Sequence, residues 1–402
     1  MRVSTTQFYQ QSALQMSSKT SDVNEQMAHL SSGKRVLTAK DDAVQYGTLA
    51  GYKDGLARIE KYQRNITMAE SHNSLQEVVF ADAELLLDNI KQDMLLANNG
   101  RMSSEDLESL AAHTRNNFKQ LLDIANSQDA NGDYIFSGYQ TEKKAFSQQA
   151  DGSVSYNGDT GINELQIARN IKVATNQTGD AAFLKVGNAI GDFTTSYTTN
   201  TSGVAVESAN VTNRNTYNTS ATPHDYIFTF GPGVAELNVV DSGGTNVYST
   251  LTYAAGQNIT FDGVDVTLSG NPLPGDSFII SEQEDISIFE TINDAIAWME
   301  QGSVSTDQEQ YQVDYNTILN QLNSAMIHIT SRRVDSGIRL QVLESQKDRH
   351  LDSELSLATG KANIEDLDFA KAISEFEQPK IALQASQQAF TKVQNLSLFN
   401  YL

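Results

Sequence analysis

The chain has 402 residues, with 50 acidic side chains against 28 basic ones and a formal net charge of −22. So acidic a surface lacks the basic face that would neutralise phosphates, which argues against nucleic acid as a partner. Hydrophobic content of 39% is ordinary for a globular chain, and zero cysteines exclude disulfides, thiolate metal sites and cysteine nucleophiles.

No apolar run approaches the roughly 20 residues of a membrane span. The opening MRVSTTQFYQQSALQMSSKT also lacks the apolar core and cleavage site of a secretory signal peptide. The expected location is the cytoplasm, or outside it by a route that needs no such signal. Four of the five prolines (Pro223, Pro232, Pro272, Pro274) fall between residues 150 and 280, and none precedes them. The first 150 residues are therefore free to form long helices.

In chain order, the first element is a helix with an apolar residue every seventh position: Tyr9, Met16, Val23, Leu30 and Leu37. Such a stripe requires a partner helix. The stretch LSSGKRVLTAKDDA, Leu30 to Ala43, interrupts it. Ser31, Ser32 and Gly33 weaken the helix, since serine offers competing hydrogen bonds and glycine costs about 1 kcal/mol. A phosphate-gripping reading fails, because Ala28 stands where a Walker A loop needs its first glycine and Arg35 follows Lys34. The stretch is read as a joint, with Lys34, Arg35, Lys40, Asp41 and Asp42 expected to form ion pairs with neighbouring chains.

A second helix shows in Val79, Ala83, Leu86, Ile90 and Met94, and Asn98 to Gly100 ends it. The third starts near Ser103 or Ser104, with Glu105 and Asp106 in its first turn and Leu107, Leu110, Ala111, Phe118, Leu121 and Ala125 on its buried face. Residues 147–282 change character. Short β-prone runs such as ELQIARNIKVAT, DYIFTF, VTL and SFII alternate with turn signals such as YNGDT, GPG and DSGG, which predicts an antiparallel β domain. Within it, the polar block TTSYTTNTSGVAVESANVTNRNTYNTSAT is expected to be exposed loop or poorly ordered.

Helix returns with Tyr311, Tyr315, Ile318, Leu322, Ala325 and Ile329, and Phe369, Phe376, Leu383 and Phe390 then repeat every seven residues. Pro379 sits inside that last run, so a kink or break is expected near Glu377. Pairing of the two ends makes the chain mainly α with a β-rich insert: a rod of long antiparallel helices, a terminal coiled coil plus a helical bundle, carrying an inserted antiparallel β domain. The expected divisions are 1–44 with 362–402, 45–146 with 283–361, and 147–282.

The sequence carries no motif of catalysis or metal binding. Asp129 to Tyr134 lacks the glycine and glutamate of a calcium loop, with Tyr134 and Gln140 in their places. The six histidines are scattered, and no Gly-x-Ser-x-Gly elbow occurs. No catalytic, cofactor-binding or metal-binding residues are assigned, and the chain is read as no enzyme.

The ends, LSSGKRVLTAKDDA on one side and IEDLDFAKAISEF with IALQASQQAFTKVQNLSLFNYL on the other, resemble the flagellin family. MRVSTTQFYQQS, LSLFNYL and NGDYIFSGYQTEKKAF are similar to its branch of hook-associated proteins of the FlgL type rather than to filament flagellin. The resemblance covers roughly residues 1–165 and 330–402. It implies a structural protein exported without a cleaved signal, whose terminal helices assemble into a ring at the hook–filament junction of the bacterial flagellum. The implied partners are further copies of the chain, the first hook-associated protein on the hook side, flagellin on the filament side, and an export chaperone on the C-terminal arm. Neither nucleic acid nor membrane insertion is expected. The alternative is a filament-forming flagellin. An insert carrying a metallopeptidase would need His-Glu-x-x-His, and residues 147–282 hold only His224.

Overall fold

The structure is a computed structural model that describes residues 5–100, 102–233, 236–302 and 307–395. Helices α1 (Thr5–Ser32), α2 (Ala43–Ala97) and α3 (Ser104–Ala125) come first. Strands β1 (Phe146–Gln148), β2 (Val154–Tyr156), β3 (Glu164–Ala168), β4 (Ile171–Ala174) and β5 (Val186–Gly187) follow, with a π-helical turn at Asp180–Leu184. Then come β6 (Phe193–Thr199), β7 (Ala205–Val211), the single turn α4 (Arg214–Tyr217), β8 (Asp225–Phe230), β9 (Leu237–Asp241) and β10 (Asn246–Thr250). After β11 (Asn258–Phe261), β12 (Val264–Ser269), β13 (Ser277–Glu282) and β14 (Asp285–Ile286), the chain returns to helix in α5 (Ile288–Gln301), α6 (Gln308–Glu365) and α7 (Phe369–Asn395). The chain divides into two compact units, residues 1–64 with 345–402 and residues 65–344. No helix among the described residues is long and apolar enough to cross a membrane.

In the larger unit, α2, α3, α5 and α6 bury the apolar faces that their periodicity announces. Val79, Ala83, Leu86, Ile90 and Met94 are buried, as are Leu107, Ala111, Phe118, Leu121 and Ala125 of α3 and the run from Tyr315 to Ile329. Leu110 and Tyr311 pack only partly buried at the edge of this core. Helix α3 starts in a capping box: the Ser103 hydroxyl accepts from Asp106 N–H at 3.2 Å, and the Asp106 carboxylate accepts from Ser103 N–H at 3.1 Å. Trp298 of α5 stacks on Tyr311, ring centroids 4.3 Å apart, and donates its indole N–H to Tyr311 O at 2.8 Å. Phe183 is fully buried among Phe80, Phe136, Phe146 and Phe289.

The β region is a sandwich. A five-stranded sheet in the order β10-β9-β8-β13-β6 and a three-stranded sheet in the order β11-β12-β7 share one apolar core. Every pairing in these sheets is antiparallel. Strands β8 and β12 alternate buried with more exposed positions, as a strand covered on one face must.

The structure corrects the expectation of an exposed or poorly ordered polar block. Residues 194–222 supply most of β6, all of β7 and α4, pairing with β13 and β12. Threonine and valine suit a pleated surface, and Val204, Val206, Ala209 and Tyr217 are buried within the run. Its asparagines shape turns: Asn200 is 2% exposed, with its amide bonded to Val204 O and its carbonyl accepting Val204 N–H, while Asn213 caps α4. Averaging polarity over the block hides the inward-facing residues.

Of the kink or break expected near Glu377, no break occurs. Helix α7 passes through Pro379 unbroken, with Lys380 paired to Glu377 at 2.7 Å and lying over the Phe376 ring. The interruption lies instead between α6 and α7, where Asp368 caps the new helix by accepting from Ala370 and Lys371 N–H at 3.0 and 3.2 Å. Proline removes one N–H, and packing of α7 on α1 holds the turns on either side.

Candidate assembly site

The smaller unit contains the residues singled out at both chain ends. Helices α1 and α7 pack antiparallel: the Tyr9 and Phe390 rings meet edge to face at 5.6 Å, while Gly33 at the other end lies beside Phe369. Tyr9, Met16, Val23, Leu30, Leu37, Phe376, Leu383 and Phe390 are all half-buried, and Phe369 is 54% exposed. Large apolar side chains remain in solvent on both helices, including Leu14 at 72%, Ile373 at 52% and Ile381 at 60%. One helix pair cannot cover a stripe of this width. Segments of α2 and α6 in this unit also approach closely: a Cβ added at Gly360 would stand 2.8 Å from the Tyr52 ring.

The joint has a definite construction. Ser31 and Ser32 donate their hydroxyls back to Ala28 O and His29 O, both at 3.1 Å, satisfying carbonyls at the end of α1. Gly33 then takes the left-handed φ of +66° that ends the helix. The next residues form an antiparallel bridge to the segment after α6: Arg35 N–H donates to Glu365 O at 2.7 Å and Leu367 N–H to Gly33 O at 3.1 Å. The Arg35 guanidinium donates through Nε and Nη2 to Ile364 O at 3.1 and 3.0 Å, and through Nη2 to Gln45. A cation at the carbonyl end of a helix is favourably placed.

Asp41 closes the turn before α2, its Oδ2 accepting from Leu37 and Thr38 N–H at 2.8 Å each. The Thr38 N–H, opposed by burial and joined by the Leu37 N–H, holds the Asp41 carboxyl below its ordinary value. Asp42 caps α2 by accepting from Gln45 N–H at 3.0 Å. Lys40 pairs with Glu25 at 3.1 Å. The charged residues of the joint have partners within this chain.

Sequence reasoning missed the centre of the joint. Glu365 is 3% exposed, with Lys34 and Lys53 each 2.9 Å from its Oε1 and Lys361 3.5 Å from its Oε2. Burial alone would raise this carboxyl, but the Lys34 and Lys53 ammonium groups outweigh it and hold it at about 2. Lys361 stands one turn before Glu365 on α6, but Lys34 and Lys53 come from separate segments, so no local pattern marks the cluster. Val36 and Ala372, each 3% exposed, were missed as well, since neither lies on the heptad stripe.

Residues 3–141 match the bacterial flagellin N-terminal helical region and residues 307–402 the bacterial flagellin C-terminal helical region, which defines a flagellin-class chain. The flagellar hook-associated protein-3 of Legionella pneumophila is 30% identical in sequence, over 77% of this chain and 96% of its own, with a TM-score of 0.67. A structure described as the flagellar junction protein FlgL from the same organism gives 29% identity, 79% and 100% coverage, and a TM-score of 0.66. In sequence, the flagellar hook-associated protein 3 of Escherichia coli (strain K12) is 24% identical over 400 residues, 99% of each chain. The chain belongs to the hook-associated protein 3 (FlgL) branch of the flagellin family, a family of structural proteins of the bacterial flagellum.

Proposed function

We propose that this chain assembles through its terminal helices into a ring at the junction between hook and filament, outside the cell. The observation that carries the reading is the α1–α7 pair, with heptad positions half-buried and Leu14, Ile373 and Ile381 open to solvent. An apolar surface of this kind on an exported subunit favours further copies of the same helices as its cover. Residues 1–44 and 362–402 are assigned to this contact, 45–146 and 283–361 to a supporting bundle, and 147–282 to a projecting insert. The hook-side neighbour is the first hook-associated protein and the filament-side neighbour is flagellin. Before assembly an export chaperone covers the C-terminal arm, and export needs no cleaved signal peptide. The role is structural, without catalysis.

The test uses Leu14→Glu and Ile381→Glu, both at exposed positions where the isolated chain tolerates charge. Each variant is expected to keep its far-ultraviolet circular dichroism and to lose incorporation onto isolated hooks carrying the first hook-associated protein. Normal incorporation of both variants contradicts assembly through these helices.

A further inference from the structure

The sequence assigns no metal ligand, yet the structure gathers three donors at the joint. Glu25 and His29 are four residues apart on α1 and so share a face. Asp41 reaches the same point from the turn before α2. Their donor atoms all lie within 4.8 Å of one another.

The geometry around His29 sets this cluster apart from a chance meeting of acids. His29 is 9% exposed, and its Nδ1 is 2.9 Å from Lys34 O. A carbonyl only accepts, so Nδ1 donates to it, and Nε2 points the other way. Nε2 faces Asp41 Oδ1 at 4.0 Å, beyond hydrogen-bond distance. Asp41 spends Oδ2 on two backbone N–H groups, leaving Oδ1 directed at the imidazole. A buried imidazole nitrogen and a carboxylate oxygen thus face each other with a gap between them. An imidazole oriented by a backbone carbonyl on its far nitrogen is the usual arrangement of a histidine that binds metal.

We propose that Glu25, His29 and Asp41 form a binding site for a zinc-type divalent transition-metal ion that clamps α1 to the turn before α2. One imidazole and two carboxylates are a donor set that zinc accepts. Bonds of about 2.0–2.2 Å place neighbouring ligands roughly 3.4 Å apart on a tetrahedral ion, so closure moves the donors by about 1 Å. Water fills the fourth position. The cation now beside Glu25 is the Lys40 ammonium, 3.1 Å away on a side chain 79% exposed, which leaves readily.

Calorimetric titration of zinc into the tag-free full-length chain tests this, with cobalt absorption reporting coordination. One site per chain is expected, weakened about tenfold or more by His29→Gln and by Glu25→Gln. His113→Gln, which removes the imidazole 2.7 Å from Asp93, is expected to leave binding unchanged. The Glu25 side chain is 40% exposed, far more than that of His29, so Glu25→Gln decides the matter if His29→Gln lowers the helix content. Absence of stoichiometric zinc uptake overturns the proposal, as does equal affinity in wild type and Glu25→Gln.

Discussion

Replacing Glu365 with glutamine probes the joint through a titration. The carboxyl stands at about 2 in the folded chain against an ordinary 4.5. At about 1.4 kcal/mol per unit, that gap corresponds to roughly 3 kcal/mol of stabilisation. Lys34 and Lys53 are 45% and 49% exposed, and solvent screening lowers the figure to ~2 kcal/mol. Because the folded value lies below the unfolded one, the stabilisation is fully present above about pH 4.5 and is lost as pH falls through about 2. Glu365→Gln leaves two ammonium groups crowded around a neutral amide. Hydrogen exchange at the amides of Arg35 and Leu367, which donate across the bridge, reads the opening of the joint directly. Protection in the variant is expected to be about thirtyfold lower at pH 7, with the difference shrinking to less than half in free energy by pH 3 and nearly vanishing at pH 2. A difference that stays the same from pH 7 to pH 3 refutes the lysine–carboxylate account.

Three further substitutions have expected outcomes. Gly33→Ala places a side chain at φ +66°, where its Cβ meets Phe369 at an ordinary 3.6 Å, so the cost is backbone strain of about 1 kcal/mol, and Gly33→Asn costs less in the same urea unfolding series. Ser103→Ala removes the cap of α3 and is expected to cost about 1 kcal/mol, with Ser103→Asn largely restoring it. Phe183→Ala empties the centre of a five-phenylalanine cluster and is expected to cost about 3–5 kcal/mol in thermal unfolding of the larger unit.

The helices were legible because their apolar spacing is regular over many turns. Val79 to Met94 and Tyr315 to Ile329 announce buried faces and have them. Ser31, Ser32 and Gly33 marked the joint because they weaken a helix locally, and Gly33 takes the left-handed conformation there. The strands of residues 194–222 were hidden, since threonine and asparagine score as polar whether they face solvent, fill a pleat or close a turn. At Pro379 a local rule predicted a kink or a break, and α7, packed on α1, runs on without a break. Glu365 with its lysines, and Glu25 and His29 with Asp41, combine residues from separate stretches of chain. Only the folded joint brings them together.

The central claim is that this subunit caps the hook as a junction and does not build a filament. Electron microscopy of purified chain added to isolated hooks that already carry the first hook-associated protein tests it most directly. Growth that saturates as a short collar, which then accepts added flagellin, is the expected result. Long filaments growing from the chain alone contradict it.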